Sequence, residues 1–183
     1  EVRVGESLHI LEPSLKVGGD ILLDYELEKI HRVLGLGFTR FYLSYVYSQE
    51  HIDAFRKIVG ADAEMVLKIE NKAGLHWVQE EFVPDQNTRL CAARGDLYVE
   101  IDYPHQILTA CKTILAKDPR AIVGSRMLLS CVHRDVPDCS DLCEIAWLSS
   151  IGYSNFLLCD ELCLKEDLLS RAVNVFDAIR QEM

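Results

Sequence analysis

The chain has no apolar run of the roughly 20 residues needed to cross a bilayer. Nor does it open on a basic stretch followed by an apolar one, as a secretory leader would. It also lacks a basic surplus: 29 Asp and Glu stand against 19 Lys and Arg, for a formal net charge of −10. A chain so acidic is a poor partner for nucleic acid or an anionic membrane surface. A local anion site remains compatible with this, because net charge does not describe a pocket. His76, His105 and His133 have no companions at metal-ligand spacing, which reads as ordinary surface or core histidine. What the chain does have is apolar content. With 49% hydrophobic residues in 183, it can bury a sizeable core, and its length suits one domain.

Seven cysteines (Cys91, Cys111, Cys131, Cys139, Cys143, Cys159 and Cys163) make an odd count. Several sit in apolar contexts, where Cys acts as a small hydrophobe. Reduced thiols in a reducing compartment, cytoplasm or an organelle stroma or matrix, are the expectation. The alternative pairs Cys139 and Cys143 with Cys159 and Cys163 as a four-thiolate zinc site.

Along the chain, Val2 to Leu11 reads as a short β element and Pro13 to Asp20 as a loop broken at Gly18-Gly19. A strand-then-helix rhythm follows. Strands are expected at Arg40–Val46, Met65–Ile69, Arg89–Ala93, Ala121–Gly124 and Asn155–Cys159. Helices are expected over Asp24–Leu34, from a Ser48 cap to Ile58, and over Gly74–Phe82 and Pro104–Lys117. Two more are expected, from a Ser140 cap to Leu148 and over Leu168–Glu182. Strands recurring about 24 to 33 residues apart, each with its helix, are βα units of a parallel sheet. The rhythm alone does not separate part of a barrel from an open doubly wound sheet.

Three segments carry the candidate chemistry. In Leu67-Lys68-Ile69-Glu70-Asn71, Lys68 and Glu70 are two apart behind an apolar run, so a strand points both to one face. An ammonium beside a carboxylate suits Mg²⁺ with a phosphate or carboxylate ligand. In Ala93-Arg94-Gly95-Asp96-Leu97-Tyr98-Val99-Glu100, Asp96 can supply a second hard oxygen. The third segment is Gly124-Ser125-Arg126-Met127-Leu128.

Together these segments resemble the pyruvate kinase family, which reads K-I-E-N, then A-R-G-D-L-x-V-E, then an A-T-Q-M-L-like stretch. Val136 to Asp141 and Leu157 to Glu161 are similar to its P-T-R-A-E-x-S-D and M-L-S-G-E segments. The chain departs from the family at Tyr98 (Gly in the family), Arg126 (Gln) and Asp160 (Gly).

The resemblance implies an α/β fold, a partial (β/α)8 TIM barrel of about five units. Residues 1–18 would be the end of an inserted lid-like β segment, and 19–183 the C-terminal portion of the barrel. It further implies Mg²⁺ or Mn²⁺ held by Glu70 and Asp96. Lys68 would neutralise the transferred phosphoryl group and the enolate, and Ser125 would lie near the substrate's methyl-bearing carbon. Ala93, Arg94, Gly95 and Asp96 would form the turn that receives the substrate carboxylate. Phosphoenolpyruvate or pyruvate and ADP or ATP are the implied ligands.

The family's first three barrel units, with the monovalent cation site, have no counterpart here, so this chain alone is expected to be inactive. Missing chain, a partner or self-association should complete it. The alternatives are a non-catalytic relative acting as a binding or assembly subunit, or a Mg²⁺-dependent oxoacid lyase or aldolase.

Overall fold

The computed structural model of the chain describes residues 22–183. Helix and strand alternate: α1 (Asp24–Gly35), β1 (Arg40–Leu43), α2 (Gln49–Val59), β2 (Glu64–Ile69), α3 (Lys72–Glu80), β3 (Thr88–Ala93), α4 (Arg94–Glu100) and α5 (Gln106–Lys117). Then come β4 (Ile122–Gly124), a 3-10 turn (Leu129–Val132), α6 (Cys139–Ser150), β5 (Asn155–Leu157), α7 (Asp160–Cys163) and α8 (Glu166–Glu182). The expected lid-like segment at 1–18, with its β element and loop, lies outside the described residues. No described helix is long and apolar enough to cross a membrane.

The five strands form one sheet in the order β1-β2-β3-β4-β5, and every pairing is parallel. Met65, Val66 and Leu67 are buried in succession, and so are Leu90, Cys91, Ala92 and Ala93. Successive strand residues point to opposite faces, so both faces of β2 and β3 are covered, as parallel sheets require. The outer strands β1 and β5 are more open. Trp77, Leu97, Ile114, Ile145 and Leu148 bring α3, α4, α5 and α6 into the same core.

Local chemistry fixes where the helices begin, and it corrects several expected boundaries. Ser48 does cap α2, its hydroxyl accepting from the His51 N–H at 3.3 Å. α3 starts at Lys72 rather than Gly74, because the Asn71 side chain accepts from the Gly74 N–H at 2.7 Å and so takes the cap position. α5 starts at Gln106 rather than Pro104; the Gln106 side chain accepts from the Tyr103 N–H at 3.0 Å. α6 begins at Cys139, with Ser140 inside its first turn and not at its cap. Asp138 holds that position, and its carboxylate pairs with Arg134. α8 starts at Glu166, two residues before the expected Leu168. β1 and β5 stop at Leu43 and Leu157, short of the expected Val46 and Cys159.

At the opposite end of the sheet from the strand C-termini, Asp118 is fully buried and accepts from the Leu90 N–H at 2.9 Å. Arg120 donates to the carbonyls of Asp85 at 2.6 Å and Thr88 at 2.9 Å. This clamp fixes the start of β3, so the other end of the strand is held in register for the site.

Candidate functional site

Lys68 is on β2 and Glu70 directly follows it, with the fully buried Ile69 between them. Lys68 Nζ lies 2.7 Å from Glu70 Oε1, so the expected shared face is real. Glu70 Oε2 accepts from the Tyr45 N–H at 2.6 Å, and Lys68 Nζ donates to Ser44 Oγ at 3.3 Å. The Glu70 side chain is only 1% exposed against 27% for Lys68. A carboxylate this deep needs both a counter-charge and donors, and it has them. The chain leaving β1 is bound to β2 at this point, since the Val46 N–H also donates to the Lys68 carbonyl at 3.3 Å. Beside Lys68, Cys91 on β3 is buried, and burial is the main cause that pushes its thiol up to about 12. Cys91 therefore stays a neutral thiol at physiological pH and is no nucleophile.

A second cluster joins β3 to β4. Arg94 donates through Nε to the Gly124 carbonyl at 3.0 Å and through Nη2 to the Ser125 carbonyl at 2.8 Å. Its Nη1 pairs with the Glu144 carboxylate on α6. Gly95 packs so closely on Ser125 that an added Cβ would stand 3.3 Å from both the Ser125 Cβ and Oγ. Arg94, Gly95, Tyr98, Ser125, Arg126 and Glu144 line a cavity of about 470 Å³. Tyr98 is half exposed at the cavity wall, so the side chain that replaces a glycine of the resembled motif is accommodated.

The non-glycine residues with left-handed backbone among the described residues are Tyr45, Ser125, Arg126 and Leu128. All follow the C-terminal ends of β1 and β4. Such conformations cost of order 1–3 kcal/mol each and persist only where the surroundings enforce them.

The expected residues thus fall into two groups at the same end of the sheet. Lys68 and Glu70 touch directly, with Ser44 and Tyr45. Arg94 and Gly95 meet Ser125, and Ala93 pairs in register with Gly124. Asp96 lies half-buried in the first turn of α4, which follows β3, the direct neighbour of β2. Among the described residues no three His, Cys, Asp or Glu side chains converge as a metal cluster. The four-thiolate arrangement of Cys139, Cys143, Cys159 and Cys163 is therefore not assembled. Ser44, Tyr45 and Glu144 join the site without any local pattern that points to them. Glu144 stands 50 positions from Arg94, and only the sheet order brings them together.

Arg94 and Glu144 are not an ordinary surface pair: the arginine side chain is 13% exposed and spends its donors on two backbone carbonyls as well. Glu161 lies in α7, where its own backbone N–H and the Cys159 side chain hold its carboxyl below the usual range. Compared with models of known protein families and with curated proteins, the chain finds no match.

Proposed function

We propose that this chain is the C-terminal section of a pyruvate kinase-like (β/α) barrel whose strand-end face binds phosphoenolpyruvate or pyruvate. The observation that carries the reading is the Lys68–Glu70 pair at 2.7 Å, a partly exposed ammonium on a buried carboxylate. It falls where barrel enzymes place their chemistry, at the C-terminal end of a parallel strand. The sequential strand order supports the barrel, since a doubly wound sheet reverses its order at a switch point. The strained residues confined to that end support a site there.

In this reading the Lys68 ammonium balances negative charge on the ligand's phosphoryl and enolate oxygens. Arg94 acts indirectly: it fixes the Gly124–Ser125 backbone, and so sets the position of the Ser125 hydroxyl beside Gly95. In this reading Glu70 and Asp96, both carboxylates, would hold a hard divalent ion such as Mg²⁺ that takes its remaining ligands from substrate and water, with Lys68 giving way on Glu70. When bound, that ion would supply charge stabilisation to the carboxylate and enol oxygens of the ligand.

One observation favours a second reading, a non-catalytic relative that keeps the scaffold as a binding or assembly subunit. Both Glu70 oxygens are engaged, Oε1 by Lys68 and Oε2 by the Tyr45 N–H, so the cation already on Glu70 is the ammonium. Titration of Mn²⁺ into the wild type and Glu70→Gln, with and without phosphoenolpyruvate, separates the two. The site reading expects wild-type binding that tightens with phosphoenolpyruvate and weakens about tenfold or more in the variant. Equal affinities would sink the metal assignment and leave the scaffold reading standing.

A further inference from the structure

Outside the strand-end site, two exposed thiols lie side by side on α6. Cys139 is its first residue and Cys143 follows one turn later, so both project from one face. Their sulfurs are 3.9 Å apart, far beyond a disulfide bond and both free. Two thiolates bound at about 2.3 Å to one tetrahedral zinc ion stand about 3.8 Å apart. The pair is thus already set at the span such an ion requires, on a rigid helix rather than a loop. Carboxylates that could compete for the same ion nearby are spent: Asp138 on Arg134, Asp141 on the Ser130 hydroxyl and Glu144 on Arg94.

We propose that Cys139 and Cys143 form half of a tetrahedral site for a thiophilic divalent cation, Zn²⁺ or Cd²⁺, completed by two donors from outside the chain. Binding is a proton exchange with no redox step: each thiol loses its proton to solvent and the metal takes both sulfur lone pairs. Because both thiols must lose their protons to bind, affinity rises with pH. The two outer positions are filled by water or by the same cysteine pair of a second copy. This inference stands apart from the proposed function, since α6 contributes only Glu144 to that face.

Titration of Cd²⁺ into the reduced protein, followed by the ultraviolet sulfur-to-cadmium charge-transfer band, tests it. The wild type and Cys163→Ser, which removes a different exposed thiol, should give the same saturating band. Cys139→Ser and Cys143→Ser should each bind at least about tenfold more weakly. One metal per chain with unchanged mass identifies water as the outer ligand. One metal per two chains with doubled mass identifies a second copy. No band in the wild type, or wild-type affinity in either the Cys139→Ser or the Cys143→Ser variant, would overturn the proposal. Far-ultraviolet circular dichroism confirms that the variants remain folded.

Discussion

Arg94 Nε, on the first residue of α4, donates to the carbonyl oxygen of Gly124, the last residue of β4, at 3.0 Å. The same guanidinium reaches Ser125 and Glu144, so one side chain ties the end of β3 to β4 and to α6. Arg94→Ala would remove those donors and leave a half-buried Glu144 without its partner. The expected cost is about 2–4 kcal/mol in urea unfolding. Arg94→Lys keeps the charge but loses the fork, and should recover only a minor part of the loss. A cost for Arg94→Ala under about 1 kcal/mol would reduce the cluster to a surface pair.

Two glycines predict opposite signs. A Cβ at Gly74, in the first turns of α3, would run into the Val46 carbonyl oxygen, well inside contact distance. Helix propensity alone would favour Gly74→Ala by up to about 1 kcal/mol. The clash with backbone should reverse this to a net loss of about 1–3 kcal/mol. At Gly35, the last residue of α1, nothing lies within 4 Å, and Gly35→Ala should stabilise by about 0.5 kcal/mol. Thermal melts of both variants decide it, and a stabilised Gly74→Ala would contradict the close packing of α3 on the segment after β1.

Alkaline pH should loosen the core. Burial pushes the Cys91 thiol up to about 12 and the Cys111 thiol up to about 11, from an ordinary 9.0. Both stay protonated in the folded chain while the unfolded chain loses those protons above pH 9. The unfolded state then binds fewer protons, so stability falls as pH rises from 9 through 11. Each thiol contributes up to about 1.4 kcal/mol per pH unit in that window. Urea unfolding at pH 8, 9 and 10 measures the slope. A Cys111→Ala background should make it shallower, and a flat profile between pH 8 and 10 would refute the buried-thiol account.

Much of this architecture was legible in the chain, for reasons that individual elements make plain. β2 and β3 were readable because Met65-Val66-Leu67 and Leu90-Cys91-Ala92 are unbroken apolar runs, the mark of strands covered on both faces. Lys68 and Glu70 were paired correctly because strand alternation acts over two residues. α3 starts earlier than its apolar pattern implies because Asn71, within the Lys68–Asn71 motif, also serves as its cap. Ser140 has a residue type that favours a cap, but the backbone puts Asp138 at that position. Ser44, Tyr45 and Glu144 were out of reach, since each joins the site through strand order and not through any local pattern. The left-handed backbone at Ser125, Arg126 and Leu128 has no glycine to announce it.

The unbroken order of the sheet also bears on how the chain is made. Each strand pairs only with those immediately before and after it in the chain. No strand among β1 to β5 waits for a partner encoded far downstream. A polypeptide emerging from the ribosome can therefore lay each new βα unit onto one already in place, with short loop closures throughout. The growing edge moves forward with translation, from β1 towards β5, while the outer edge of β1 stays where it was laid down.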